Sequence, residues 1–407
     1  MTIDPRLPGF EDLWDAERMA DVLTRLLPTR PGWNLSGLSL QRIRHRLGKR
    51  GIVHYTAAYS SESESLDVLI VAMVRMDRDP QAVMRKILAG STIDPPPPLS
   101  SVVACDTQTN LLLLVFPVDR RLPGLQLLGT PSGRHLLASL AGCAETPEPG
   151  FVTVRHRLGL GATVRLLGGG QDMYLKFRPA GEAQPATRLG AAMHERLPNS
   201  LHCALPQLVS EEHDITATST IAGKGTDQIV GDLLTGWLSV VALALADLHS
   251  IPGEGLPVRG EVAHNRADRA EAWLRAILGP TEALFRELRA TGSEIGSGSQ
   301  FIHGDLKPEH VLERDGEVGL LDLDSAGRGR PLADIASLSV RLPADSAPHF
   351  LHEYRECAST LPWHEFGAEW ALASMKYALS QGQQHAPGWE AAVTSTLESG
   401  LSSPLSG

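Results

Sequence analysis

A repeat inside the chain constrains its fold more than any other feature. Ile43-Arg44-His45-Arg46-Leu47-Gly48 reads almost as Val154-Arg155-His156-Arg157-Leu158-Gly159. Each match is followed by a β-rich stretch, a polar turn and a second apolar run. In the first copy these are Gly51 to Tyr59, an acidic Ser/Glu tip and Leu66 to Arg75. In the second they are Gly161 to Leu167, the turn 168–172 and Met173 to Phe177. Both copies continue into a predicted helix and then a proline-marked start of further strands, Pro95 to Pro98 before Leu111 to Val115 and Pro206 before the run around Ile215. Two matched successions of elements predict one small sheet-plus-helix unit used twice.

The copies differ at a chemically important place. Aligning the third strands puts Met73 of the first opposite Lys176 of the second, so a role that needs a cation there belongs to the second copy alone. Beyond about residue 228 the pattern turns helical. Ile229, Leu233, Trp237, Val241, Leu245 and Leu248 recur every three to four residues, and the helix they predict ends before Pro252-Gly253. Further helices are expected over 266–288, 368–381 and 389–397, with 292–299 a Gly/Ser-rich surface loop. The expected organisation is a β-rich segment 1–148, a second β-rich segment 149–228 and a mainly helical segment 229–407 that holds one hairpin.

Composition excludes several function classes. Lys and Arg number 37 against 47 Asp and Glu, for a net charge of −10, which argues against nucleic acid as a partner, since that role relies on clustered cations. The first residues lack a basic stretch followed by an apolar one, so no secretory signal is expected. The longest apolar run, Trp237 to Leu248, is interrupted by Ser239 and Asp247 and is too short to span a bilayer, so no membrane partner is expected either. Cys105, Cys143, Cys203 and Cys357 lie far apart with no CxxC pair, which suits a reducing, cytoplasmic localisation.

The segment with the densest chemistry runs from Phe301 to Leu312 (FIHGDLKPEHVL) and continues at Gly319-Leu320-Leu321-Asp322-Leu323-Asp324. Asp315-Gly316 is a strong two-residue hairpin turn, because both positions tolerate positive φ. A hairpin centred there pairs Arg314 with Glu317, Glu313 with Val318, Leu312 with Gly319 and Val311 with Leu320. His310 and Asp322 then leave the same open end, on strands about 4.8 Å apart, with Asp305 one short loop away. Two carboxylates and an imidazole on one spot suit phosphoryl transfer, which needs a divalent ion, a cation for the nucleotide phosphates and a carboxylate for the attacking hydroxyl. Asp322 suits the metal, Asp305 the hydroxyl and Lys176 the phosphates.

These residues resemble the aminoglycoside phosphotransferase-like family of small-molecule kinases. Its catalytic loop, H-G-D-x-x-x-x-N, is matched from His303 to His310 except at the last position. Its metal strand is matched by Leu321-Asp322-Leu323-Asp324, and a later G-x-P-x-x-D-[LI]-A element by Gly329 to Ala336. The ending ALADLH at His249 is also typical of the helix before the loop. The first 150 residues resemble the extra N-terminal subdomain of maltokinase-like members or a decayed copy of the kinase N-lobe. The resemblance implies an α+β, bilobal protein-kinase-like fold, with a β-rich N-lobe and a mainly helical C-lobe, preceded by an extra N-terminal α+β unit.

It also implies ATP and Mg2+ as cofactors and a small-molecule hydroxyl acceptor, such as a sugar, amino sugar or aminoglycoside-like compound. In this frame Asp305 is the catalytic base, Asp322 with His310 the metal site, Lys176 the phosphate-binding lysine and Gly159-Leu160-Gly161 a phosphate-covering turn. Asp334 is structural and His303 braces the loop. Glu195 is the chosen partner of Lys176, with Glu182 the other candidate. Lys307 is placed either in catalysis or at the surface. His310 stands where the family usually has Asn, and imidazole is a poorer partner for hard Mg2+ than an amide oxygen. A nucleotide-binding pseudokinase is the alternative reading. A Ser/Thr protein kinase is a further one, weakened by Gly304 in place of an arginine and by the lack of an APE motif after Asp322.

Overall fold

The computed structural model describes residues 4–402 and 404, apart from 91, 144–148, 169–171, 199–200, 226–227, 230–231, 260–267, 269, 276–284, 287–297 and 385–387. The predicted helix 266–288 lies mostly outside the described residues, of which 270–275 are helical. The loop expected over 292–299 and the turn 168–172 also fall largely outside them. The chain divides into two compact units, Met1–Gln184 with Leu208–Ala217 and Gln383–Pro387, and Pro185–Gln207 with Thr218–Gly382 and Gly388–Gly407.

The first unit carries the two matched sheets of the repeat, while most of α4 and all of β9 fall in the second unit. Its first copy runs through a 3-10 turn (Glu11–Trp14), α1 (Ala16–Leu26), β1 (Asn34–Arg46), β2 (Arg50–Ser60), β3 (Ser65–Arg75), α2 (Pro80–Gly90), β4 (Val103–Asp106) and β5 (Leu111–Val115). The second copy runs through a 3-10 turn (Pro123–Gly129), α3 (Pro131–Leu140), β6 (Gly150–Arg157), β7 (Gly161–Leu167), β8 (Met173–Phe177) and α4 (Ala183–His194). It continues through β9 (Leu201–Cys203) to β10 (Gln207–Ser210) and β11 (Ile215–Ser219). The sheets have the orders β1-β2-β3-β5-β4 and β6-β7-β8-β11-β10, so both copies trace the same path, and β9 is the addition. Register aligns them residue by residue. Met73 lies opposite Ile52, two residues along from the closing Arg46–Arg50 pair, and Lys176 lies opposite Thr163, two along from Arg157–Gly161.

The repeat extends upstream of the part legible from its strands. Asp4-Pro5-Arg6-Leu7-Pro8-Gly9 corresponds to Asp119-Arg120-Arg121-Leu122-Pro123-Gly124, and the structure shows what the aspartates do. Asp4 Oδ2 accepts from Gly48 N at 2.6 Å and from His45 Nε2 at 2.9 Å, and Oδ1 accepts from Arg6 N at 3.1 Å. Asp119 repeats the set with Gly159 N at 2.5 Å, His156 Nε2 at 3.2 Å and Arg121 N at 2.9 Å. Both acceptors are buried. Burial alone would push the Asp4 carboxyl up, but the hydrogen bonds from Gly48, His45 and Arg6 outweigh it and hold the group below its ordinary value. The turn glycines Gly48 and Gly159 have φ of 62° and 68°, a conformation glycine adopts without strain.

A matched pair of differences follows. A Cβ on Gly51 would sit 2.0 Å from Phe10 Cδ2, so a larger residue there presses on the Phe10 ring. The corresponding residues of the second copy are Leu125 and Ala162, both buried in its core: a smaller side chain in one place admits a methyl in the other. The sheets also differ in how they are covered. β7 alternates between buried and half-buried residues, whereas β2 is buried on both faces from Gly51 to Tyr55. On the face that bears Lys176 in the second copy, the first has Ile52, His54 and Met73. The second copy itself helps cover that face: the His54 and His156 rings lie 5.8 Å apart, and Arg44 Nη1 donates to Leu158 O at 3.0 Å.

The second unit is mainly helical. It contains α5 (Asp232–Ser250), β12 (Gln300–Ile302), β13 (Val311–Arg314), β14 (Glu317–Leu320), β15 (Gly327–Gly329), α6 (Pro331–Ser339), α7 (Ala347–Cys357), α8 (Phe366–Gln384) and α9 (Trp389–Ser399). Trp237, Val241, Leu245 and Leu248 of α5 are buried with Ile335 of α6 and Phe350 and Tyr354 of α7, on the periodic face the sequence predicts. The single expected hairpin is joined by β9, parallel to β14, and β12 pairs with β15. Strands of three residues carry too little alternation to be read from sequence. No helix among the described residues is long and apolar enough to cross a membrane.

Two outcomes are expected. Gly51→Ala should destabilise the protein by about 1–3 kcal/mol through overpacking; adding Phe10→Leu, the solution used by the second copy, should recover most of that loss in urea denaturation. His54, pushed down to about 3 by burial and by the neighbouring His156, is neutral in the fold and ordinary when unfolded. The unfolded chain therefore binds the extra proton, and the stability this group contributes is present above about 6.5 and lost as pH falls toward about 3. A His54→Gln variant should show a flatter decline in melting temperature between neutral pH and that range.

Candidate active site

The second hairpin positions the chemistry. Asp315 and Gly316 have φ of 55° and 86°, and the strands pair Val311 with Leu320, Leu312 with Gly319, Glu313 with Val318 and Arg314 with Glu317, the register predicted from the turn. Leu321 N donates to His310 O at 2.9 Å, extending the ladder by one residue. Asp322 follows in the left-handed region, with φ 56° and ψ 50°. This turns its side chain out of the strand path at the hairpin's open end.

The loop before the hairpin is held by one buried carboxylate. Asp334, in the first turn of α6, accepts from His303 N at 2.6 Å and Gly304 N at 2.9 Å. It also accepts from His249 Nε2 at 3.3 Å, and His249 Nδ1 in turn takes the Tyr354 hydroxyl at 2.7 Å. Gly304 has φ of 78°, and a Cβ there would meet Ser325 O at 2.2 Å, so no other residue fits. His303 donates from Nε2 to Leu321 O at 2.8 Å, tying the loop to the open end of the hairpin.

Asp305, His310 and Asp322 meet, with one ligand atom from each lying within 4.8 Å of the others. His310 donates from Nδ1 to the Asp305 carbonyl at 2.9 Å, and its Nε2 lies 3.8 Å from Asp322 Oδ2. Burial, aided by His303 and Lys307 and opposed by Asp322 and Asp305, pushes the imidazole down to about 4, so the ring is neutral at pH 7. Lys307 donates from Nζ to Asp305 Oδ2 at 2.9 Å. Two carboxylates and a neutral nitrogen donor within one coordination span fit a divalent cation.

The other predicted residues are distributed over both units. Lys176, Gly159 and Gly161 belong to the first, with Lys176 half-buried. The Gly159 N–H is engaged by Asp119, so this amide does not stand open to a phosphate. Glu195 belongs to the second unit, exposed, directly after the end of α4. Three residues escaped the sequence reading. Tyr354 completes the chain behind Asp334. Ser337 donates to Leu306 O at 2.9 Å. Arg341 is a half-buried cation whose desolvation lowers its pKa while Asp305 opposes that shift. The helix after Gly329 was the signal for Ser337, but only packing shows which of its faces meets the loop. A cavity of about 570 Å3 lies by the hairpin's turn end, lined by His202, Cys203, Arg314 and Glu317 among others, and includes none of the three clustered residues.

The model of the phosphotransferase enzyme family, APH, matches residues 154–370, more than half of the chain, and starts within β6 of the second copy. Among solved structures, the chain is similar to the macrolide 2'-phosphotransferase MphH from Brachybacterium faecium, with 20% identity and a TM-score of 0.46 over 65% of this chain and 96% of that one. It is similar to an aminoglycoside-3'-phosphotransferase of type VIII, with 23% identity and a TM-score of 0.44 over 60% and 99%. It is also similar to choline kinase LicA from Streptococcus pneumoniae, with 15% identity and a TM-score of 0.46 over 65% and 95%. None of the curated proteins is a significant match.

Asp334→Ala leaves two buried backbone amides without their acceptor. A loss of about 2–4 kcal/mol in denaturant unfolding is expected, with faster hydrogen exchange at His303 and Gly304 N–H than elsewhere in the second unit.

Proposed function

The chain belongs to the phosphotransferase enzyme family, and we propose that it moves the γ-phosphate of ATP to a hydroxyl of a small molecule, with a divalent cation such as Mg2+. The observation that carries this reading is the convergence of Asp305, His310 and Asp322 at the end of the hairpin. Asp305 orients the acceptor hydroxyl and takes its proton, a contribution typically of about 10²–10⁴ in rate. Asp322, with His310 and Asp305, would hold the divalent cation, which would neutralise phosphate charge when bound. The Lys307 ammonium, already on Asp305, supplies positive charge beside the attacking oxygen. The Asp334 clamp keeps these groups in place between turnovers, and such positioning is most of what phosphoryl transfer asks of a protein.

Lys176 is assigned to the nucleotide phosphates, because it is the cation at the position where the first copy has buried Met73. Glu195 or Glu182 is its partner. The Gly159–Gly161 turn covers the phosphates by shape, since the Gly159 amide serves Asp119. The acceptor is a sugar, amino sugar or aminoglycoside-like compound, and the protein works in the cytoplasm. One observation favours a second reading, nucleotide binding without transfer: the Lys307 ammonium lies 2.9 Å from the carboxylate that would act as base.

The test is a coupled assay of ADP release with ATP, Mg2+ and a panel of sugars, amino sugars and aminoglycosides. Asp305→Asn should cost about 10²-fold or more in kcat with a positive substrate. If no compound supports Asp305-dependent transfer while ATP raises the melting temperature, the second reading replaces the first.

A further inference from the structure

We infer that the Asp305–His310–Asp322 cluster is built for a divalent ion that accepts nitrogen, Mn2+ in preference to Mg2+, with His310 Nε2 as a direct ligand; this deepens the metal-dependent reading above and rests on it. The argument starts from a hydrogen bond. His310 Nδ1 lies 2.9 Å from the carbonyl oxygen of Asp305, and a carbonyl only accepts, so Nδ1 carries the proton. Nε2 is therefore the ring nitrogen left for a metal ion. Imidazoles that ligate metals are typically fixed in this way, one nitrogen donating to a carbonyl or carboxylate and the other left to the ion.

Nε2 lies beside a carboxylate, 3.8 Å from Asp322 Oδ2, a separation that a shared cation can bridge. The ring cannot easily turn away. It is 6% exposed and stacked on His303 at 5.5 Å, with 21° between the planes. His303 is itself fixed through Nε2 to Leu321 O, so that ring is not the ligand. The donor atoms span up to 4.8 Å. Ligands at about 2.1–2.2 Å from an ion lie about 3 Å apart when adjacent and about 4.3 Å apart when opposite, so small side-chain shifts close the site.

The donor set decides the metal class. Mg2+ prefers oxygen in near-ideal octahedral geometry and gives up its water reluctantly, whereas first-row divalent ions gain from an imidazole nitrogen. Two carboxylates keep the site hard enough for Mn2+. The nitrogen is what discriminates.

The test uses the full-length protein with Mn2+ alone, no nucleotide, followed by the EPR signal of free Mn2+ and by competition with Mg2+. Mn2+ should bind about ten-fold or more tightly than Mg2+, and pulsed EPR of the bound ion should show nitrogen coupling. In His310→Asn the coupling should disappear and the Mn2+ advantage should fall about ten-fold or more. If that variant does not fold, the wild-type nitrogen coupling alone decides. Bound Mn2+ without nitrogen coupling, an unchanged metal ratio in the variant, or no Mn2+ bound at millimolar concentration would overturn the assignment. Nitrogen-coupled Mn2+ in a protein that transfers no phosphate would sink the proposed reaction and leave this site standing; Asp305-dependent transfer with Mg2+ and no nitrogen coupling would do the reverse.

Discussion

The carboxylate of Asp334 is the constraint on which the site depends. A loop carrying a left-handed glycine and a buried histidine has backbone amides that no strand or helix ladder can satisfy. Asp334 accepts two of them, and His249 with Tyr354 orients it from behind. A buried charge is costly unless it is met by several donors; here it is, and the result is a loop whose shape is over-determined. The Asp305 side chain and carbonyl, and through the carbonyl the His310 ring, inherit their positions from that clamp.

The first unit uses the same physics twice. Asp4 and Asp119 each collect a turn amide, an imidazole and their own downstream amide. The two halves thus share not only strand order but the device that closes the first hairpin. They diverge where chemistry could happen. The second copy has a lysine on a half-buried sheet face, while the first has an apolar residue where that face is buried, at Ile52, His54 and Met73, and partly covered by the second copy. The apolar residue and the buried face go together, since a buried lysine without a partner would be expensive. The family match, which begins in β6, falls on the copy that kept it.

Much of this was legible in the sequence. The Asp315-Gly316 dipeptide specified the hairpin register, and with it the approach of His310 and Asp322, because a two-residue turn admits one pairing. The repeat and the opposition of Met73 and Lys176 were legible for a related reason: strands keep register through their turns. Other features were not. The Asp-x-Arg-Leu-Pro-Gly repeat stood in plain view, but it lies outside any strand or α-helix and has no periodicity to draw attention. The three-residue strands β9, β12 and β15 are made by their partners more than by their own residues. Tyr354 and Ser337 sit on helices whose amphipathic pattern says which side is inward, not which loop that side meets, and Arg341 follows in the turn after α6.

Sequence by itself determined the local geometry: turn types, strand pairing, the helical face of α5 and the residue types that can serve phosphoryl chemistry. These are short-range properties, set by φ preferences and by the spacing of apolar side chains. Tertiary structure alone decided which carboxylate holds the loop, which nitrogen of His310 carries the proton, and that the Gly159 amide is engaged by Asp119. Each of these depends on a donor and an acceptor far apart in the chain being brought within 3 Å or so of each other, and no local pattern encodes that distance.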